Sequence, residues 1–270
     1  MVPNLSIIFM ITAIIIGVIL PLALAIYLIA KKKFSISCFL LGMACFFLFA
    51  SVLEGLVHYY ILQLNGTTSA ILTGNTILYG LYGAFMAGIF EEVGRFLMMK
   101  LFMKRNQEFK DGFIFGLGHG FIEAGLIIGI SYLNSIIYSV LINSGNFDTM
   151  LSSLPESSRA ALMNLKDTLT NTPSPMFLLG GIERVLAIII HISFSIIVLY
   201  GVKTKRIQYL FIAILGHALV DFPAVLYQRG VISLVMIYAW LVLSVAILIF
   251  VILRLSKVYK KTTFDEIKLI

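Results

Sequence analysis

Long apolar stretches separated by short polar segments run along the whole chain. A helix that crosses a bilayer needs about 20 mostly apolar residues. Seven stretches meet this requirement: Leu5–Ala30, Ser35–Leu62, Thr76–Met103, Gly112–Asn143, Met176–Gly201, Ile207–Gln228 and Val231–Leu253. The pattern predicts an all-α fold, a polytopic transmembrane helix bundle of about seven spans.

Composition supports this interpretation and excludes several others. Hydrophobic residues make up 60% of the 270 residues and charged residues only 12%, whereas a soluble domain carries about 25% charged residues. A soluble enzyme, a nucleic-acid binder and a disordered protein are therefore not expected. We predict one transmembrane domain over residues 1–270, with a motif-bearing core at about 76–228, an external loop at about 144–175 and a cytoplasmic tail at 254–270.

The distribution of basic residues predicts the orientation of the bundle. Fifteen of the 20 Lys and Arg residues lie in alternate loops and the C-terminal tail, and only three lie in the opposite loops. Positive charge collects on the cytoplasmic side of membrane proteins, so the N-terminus is expected outside and the C-terminus inside, in a bacterial plasma membrane. The external loop contains Ser157–Leu169, whose apolar spacing predicts a short amphipathic helix on the outer surface.

Ionisable side chains inside the predicted spans form the main functional signal. A charge at mid-bilayer costs at least about 2.5–3.5 kcal/mol on insertion scales, so each requires a reason. At 1.5 Å per residue, five of them lie at a similar depth, about 11–17 Å from the cytoplasmic ends of four helices. They are Glu91, Glu92, His119, His191 and His217.

Spacing within each helix suggests partners for this layer, because residues four apart lie on one helix face. The pairs at this spacing are Glu91 with Arg95, His119 with Glu123, and His217 with Asp221. Arg95 can hold a buried carboxylate ionised. Glu123 and Asp221 can accept a ring N–H and orient a histidine.

Carboxylates and histidines in a desolvated pocket suit the activation of water. A carboxylate can act as general base while histidines bind a metal or stabilise an oxyanion. His119, His191 and His217, or two of them with a carboxylate, also satisfy a catalytic zinc site that keeps one position open. Zinc is therefore the expected cofactor if a metal binds.

At these residues the chain resembles the YhfC-type intramembrane metallopeptidases, which are related to CAAX-processing and bacteriocin-processing peptidases and to PrsW proteases. The shared motifs, in order, are Glu91-Glu92-Val-Gly-Arg95, Phe115-Gly-Leu-Gly-His119 and His217-Ala-Leu-Val-Asp221. The spacing to Arg95 fits the PrsW pattern, and His191 lies outside the three motifs.

The resemblance implies a proteolytic site in which Glu91 or Glu92, together with His119, activates water. His217 and Asp221 would position or stabilise the oxyanion, or join a metal. The substrate would be a membrane-embedded or membrane-associated peptide or protein, with no nucleic acid involved.

Two other functions are compatible with the same residues. Layers of His and Glu also serve proton or divalent-metal transporters, and a relative of a peptidase can persist as a non-catalytic scaffold or chaperone. A structural interpretation is also open, in which Glu91, Glu92 and Arg95 form a buried ion pair and His119 and His217 bond between helices.

Overall fold

The computed structural model describes residues 1–32 and 34–267. Lys33 of the predicted basic loop and residues 268–270 of the predicted tail lie outside the described residues. The described chain is helical and contains no strand. Its helices are α1 (Asn4–Ala30), α2 (Ile36–Leu64), α3 (Gly66–Gly74), α4 (Thr76–Phe102), α5 (Phe109–Asn143), α6 (Phe147–Ser152), α7 (Glu156–Asn171), α8 (Ser174–Thr204), α9 (Gln208–Gln228) and α10 (Leu234–Ile267).

Each of the seven predicted stretches coincides with a long helix, so the predicted helical membrane fold is confirmed. Among the described residues, six helices are long and apolar enough to cross a membrane, and there are seven spans if the bent pair of α3 and α4 counts as one. The chain is a multi-pass membrane protein.

Asparagine caps mark the starts of α3 and α4, and the second cap lies at the junction between the two helices. Asn65 Oδ1 accepts a hydrogen bond from the Thr68 amide, and Asn75 Oδ1 accepts bonds from the amides of Ile77 and Leu78. Each cap pairs amides at a helix start that have no partner within the helix. The two helices meet at a bend of 111°.

The first of two compact units comprises residues 1–24 and 124–185. Its core contains Val2, Met10, Leu169 and Phe177. Asn143 ties the N-terminal segment to the end of α5, because its side chain bonds both the amide and the carbonyl of Val2. The predicted amphipathic segment is helical as α7; its position on the outer membrane surface stays a prediction.

The second unit comprises residues 25–123 and 186–270, described as far as 267, and it contains the whole predicted layer. All residues from 191 to 200 of α8 are buried, so this helix lies at the centre of the unit. Helices α4 and α9 pack along each other, and the backbone at Gly88 approaches Ile214 so closely that a Cβ would lie 2.8 Å from its carbonyl oxygen.

Glycines on α5 allow the neighbouring helices to approach the layer. A Cβ at Gly116 would lie 2.4 Å from Ile192 Cα of α8, and one at Gly118 would lie 2.1 Å from the Phe39 carbonyl oxygen of α2. The neighbouring Gly125 differs, since a Cβ there would meet nothing within 4 Å. Helix α5 therefore packs closely against α8 at Gly116 and against α2 at Gly118, whereas Gly125 makes no close contact of this kind.

Candidate functional site

Four helices of the second unit bring the predicted residues into one buried cluster. Helix α4 supplies Glu91 and Glu92, α5 supplies His119, α8 supplies His191 and α9 supplies His217, and all five are buried. The glycine contacts of α5 explain why rings on α5 and α8 can meet: the His119 and His191 ring centroids are 4.7 Å apart. The layer inferred from helix depth is thus a contact cluster, which we call the Glu/His cluster.

Glu91 lies at the centre of the Glu/His cluster. Its Oε2 atom is 2.9 Å from His119 Nε2, 3.6 Å from His191 Nδ1 and 4.0 Å from His217 Nε2. Arg95 Nη2 lies 3.5 Å from the same oxygen. One carboxylate oxygen therefore faces three imidazole nitrogens and one guanidinium.

Glu92 has a different environment, although it is the next residue. Its side chain is completely buried, and its Oε1 atom accepts bonds from Arg95 Nη1 at 2.8 Å and His217 Nδ1 at 2.7 Å. Neighbouring residues of a helix point about 100° apart, so only one of the two carboxylates reaches the centre. Glu92 instead holds Arg95 and His217 in position.

Two histidines are oriented by carboxylates, and this fixes which ring nitrogen faces the centre. His191 Nε2 lies 2.5 Å from Glu123 Oε2, and His217 Nδ1 donates to Glu92. When one ring nitrogen of a neutral imidazole donates, the other carries a lone pair. His191 Nδ1, which accepts from Arg95, and His217 Nε2 are the ring nitrogens of these two residues that lie nearest to Glu91.

The partner of Glu123 differs from the expectation. The spacing of four residues predicts that Glu123 orients His119, but its carboxylate approaches His191 of α8 instead. The close approach of α5 and α8 at Gly120, where a Cβ would lie 2.9 Å from an atom of Ile188, puts His191 within reach. Within the described chain, the buried His119 Nδ1 has no hydrogen-bond partner.

Asp221 lies at the edge of the Glu/His cluster, as its spacing from His217 predicts. Its Oδ2 atom is 3.3 Å from His217 Nε2, and its side chain is 37% exposed. Asp221 therefore has the most exposed side chain of the predicted site residues. Its carboxylate contacts a nitrogen that also faces Glu91.

Two aromatic contacts of the cluster have no signal in the spacing of the polar residues. The Phe194 ring stacks on His217 with an interplanar angle of 8°, and the Phe46 ring meets His119 edge-on. Both phenylalanines are buried. They exclude water from one side of each imidazole and restrict its rotation.

The donor set fits a metal ion. Ligand atoms of Glu91, His191 and His217 lie within 4.8 Å of one another, and His119, Glu123 and His191 form a second such group. Zinc bonds of 2.0–2.2 Å in a tetrahedral site separate ligand atoms by about 3.4 Å, close to the 3.6 Å and 4.0 Å from Glu91 to the two histidines. Carboxylates on the far ring nitrogens are typical of metal-bound histidines.

Arg95 competes for one of these ligand atoms. Its Nη2 atom lies 3.1 Å from His191 Nδ1 and 3.2 Å from His119 Nε2. Since a metal on His191 Nδ1 would use the lone pair that accepts from Arg95, metal binding requires this contact to be replaced.

Two further ionisable pairs lie within the long helices, outside the Glu/His cluster. Arg184 donates to Glu183 in the first unit. In the second unit, His58 lies between Glu54 Oε1 at 3.0 Å and the Tyr82 hydroxyl at 2.6 Å. Neither pair belongs to the Glu/His cluster.

Comparisons with known proteins cover the whole of the Glu/His cluster. The family model described as YhfC intramembrane metalloprotease matches residues 15–242, which include every residue of the cluster. The Bacillus subtilis (strain 168) protein "Uncharacterized membrane protein YhfC" is 46% identical over 218 residues, covering 81% of this chain and 83% of that protein. No solved structure matches the chain.

Proposed function

Because the chain belongs to the YhfC intramembrane metalloprotease family, we propose that it is an intramembrane peptidase. Its substrate is a membrane-embedded or membrane-associated peptide or protein, and the reaction is hydrolysis of a peptide bond within the bilayer. The observation that carries the proposal is the position of Glu91, whose Oε2 atom faces three histidine nitrogens inside a buried cluster.

Glu91 is the carboxylate best placed to act on a water molecule. Glu92 is fully enclosed and already bonded to Arg95 and His217, whereas Glu91 retains 7% exposure. In the proposed reaction Glu91 accepts a proton from water as the water oxygen attacks the substrate carbonyl carbon. The same carboxyl group then delivers this proton to the amine that leaves when the C–N bond breaks.

The basic side chains around Glu91 stabilise the negative charge that develops on the carbonyl oxygen. The Arg95 guanidinium is buried and lies within 3.5 Å of Glu91 Oε2. His119 holds the Glu91 carboxylate at 2.9 Å. In a site that excludes water, such fixed groups stabilise an oxyanion more strongly than they would in solution.

Glu91, His191 and His217 are the residues that would hold a zinc ion, and in that zinc-bound form Glu91 would be a ligand of the metal and not the general base. When bound, zinc supplies Lewis-acid activation of water and of a carbonyl group. Glu123 and Glu92 orient the two histidines toward that position.

Cleavage is tested in cells that express the wild-type protein or Glu91→Gln, by identifying new N-termini among membrane proteins. We expect peptide termini that occur with the wild-type protein and are lost with Glu91→Gln. Glu156→Gln is the matched control, since it makes the same chemical change at an exposed residue of the first unit, outside the Glu/His cluster, and should leave these termini unchanged. Identical termini in all samples, with equal protein levels, would refute the peptidase proposal.

Metal binding is tested separately by elemental analysis of detergent-purified protein. We expect about one zinc per chain in the wild-type protein and in His58→Ala, and its loss in His191→Ala and His217→Ala. Retention of zinc in both cluster variants would show that the metal binds elsewhere. Absence of zinc from folded wild-type protein would restrict the mechanism to the Glu/His side chains.

A further inference from the structure

A cavity of about 380 Å³ lies in the second unit between the ends of α2, α4 and α9. Its walls include His58 of α2, Tyr79 and Tyr82 of α4, and Ala224 and Asp221 of α9. Asp221 is seven residues before the end of α9, so the cavity reaches about 10 Å along this helix. Its deepest polar residue therefore belongs to the edge of the Glu/His cluster.

The lining of this cavity is suited to a positive charge. Asp221 is the only Asp, Glu, Lys or Arg among the lining residues. Both ring nitrogens of His58 are engaged, one by the Glu54 carboxylate and one by the Tyr82 hydroxyl. The cavity thus combines one carboxylate with two tyrosine rings, and both attract cations.

One of these rings already contacts a guanidinium of the chain itself, which a ligand cation at Tyr79 would have to displace. The Arg229 guanidinium carbon lies 4.1 Å from the centroid of the Tyr79 ring. This is well within the distance of about 6 Å at which a cation is attracted to an aromatic face.

We propose that this cavity is a binding site for a cationic side chain, the ammonium of Lys or the guanidinium of Arg, of the peptide substrate. The cation lies between the Asp221 carboxylate and the tyrosine rings. Because Asp221 Oδ2 is 3.3 Å from His217 Nε2, a side chain held there keeps its own backbone within about one side-chain length of the edge of the Glu/His cluster. This assignment of a substrate class rests on the proposed peptidase function, but the cation site itself is measurable without hydrolysis.

The test is the reactivity of Ala224→Cys toward thiol reagents of opposite charge. The reagents are cationic trimethylammonioethyl methanethiosulfonate and anionic sulfonatoethyl methanethiosulfonate, with each rate divided by the rate for free cysteine in solution. A carboxylate within about 5 Å in a hydrated cavity gives about a tenfold preference for the cation. Adding Asp221→Asn should abolish this preference while the thiol stays reactive.

The chain offers two matched controls for this labelling. The native thiols of Cys38 and Cys45 are buried, so the protein without an added cysteine should stay unlabelled. Leu219→Cys on the same helix replaces a side chain that is 63% exposed outside the cavity; it should face lipid and react with neither charged reagent.

Protection from labelling tests the kind of ligand. N-acetyl-lysine amide and N-acetyl-arginine amide should slow modification of Ala224→Cys at least about threefold at concentrations where the uncharged N-acetyl-norleucine amide has no effect. Equal reaction with both reagents, persistence of the preference in Asp221→Asn, or equal protection by norleucine would each overturn the proposal. Because none of these measurements requires cleavage, loss of the cation preference and loss of peptidase activity are separate results.

Discussion

The buried ion pair between Glu92 and Arg95 should make a large, non-additive contribution to stability. Both side chains are 0% exposed, and their closest atoms are 2.8 Å apart. Replacing Arg95 by Met leaves the Glu92 carboxylate buried without its guanidinium partner. Breaking one side of such a pair costs about 3–5 kcal/mol.

The loss of stability expected for each variant depends on which contacts the substitution removes and which it keeps. Arg95→Met also removes the donor within 3.1 Å of His191 Nδ1 and the donor 3.2 Å from His119 Nε2. Glu92→Gln keeps an acceptor for His217 and loses only the charge, at about 1.5–3 kcal/mol for a charged hydrogen bond. The double variant no longer leaves the Glu92 charge buried without a partner. Its loss of stability should therefore be at least about 2 kcal/mol smaller than the sum of the losses in the two single variants.

The assay is equilibrium unfolding in mixed detergent micelles with a denaturing detergent, followed by the fluorescence of Trp240, the only tryptophan of the chain. Arg95→Lys is the control that retains the charge without the planar fork, and its stability should lie between wild type and Arg95→Met. A cost below about 1 kcal/mol for Arg95→Met, or additivity within about 0.5 kcal/mol in the double variant, would refute the assignment of a coupled ion pair.

Three further predictions concern packing, capping and topology. Gly116→Ala should lower the free energy of unfolding by about 1–3 kcal/mol, because its Cβ would lie 2.4 Å from Ile192 Cα. Gly125→Ala on the same helix should be neutral or slightly stabilising, because its Cβ would meet nothing within 4 Å. Equal effects of the two substitutions would contradict the packing argument. Asn75→Ala should cost about 1 kcal/mol of stability by removing the cap of α4, and Asn75→Asp should restore most of it in the same unfolding assay. Glu108→Cys should react with an impermeant maleimide only from the cytoplasmic side and Asn164→Cys only from outside, and the reverse pattern would overturn the predicted orientation.

The helices and the grouping of the Glu/His cluster could be predicted from the sequence because both follow from one-dimensional patterns. A span is fixed by the length of an apolar stretch, and depth is fixed by the rise of 1.5 Å per residue. Helix depth places Glu91, His119, His191 and His217 at a similar level, and the structure brings all four into contact.

Contacts between helices could not be predicted in the same way, because they depend on how helices rotate and approach each other. The spacing of four residues pairs Glu123 with His119, but the packing of α5 against α8 gives it to His191. The same limit applies to the cavity beside Asp221, whose lining comes from three helices that are distant in sequence. Local spacing predicts the partners that one helix offers, and packing decides which partner is used.

The two adjacent glutamates have different environments, and we assign them different roles: Glu92 in stability and Glu91 in the proposed chemistry. Their side chains point in different directions on α4, so Glu92 is enclosed with Arg95 and His217 while Glu91 faces the remaining imidazoles. The enclosed carboxylate fixes the position of a cation and a histidine that would otherwise be costly to bury. Because Glu92 holds Arg95 and His217, the Glu91 carboxylate contacts His119 and faces the other imidazoles, which is why Glu91 is the carboxylate that we propose exchanges protons with water.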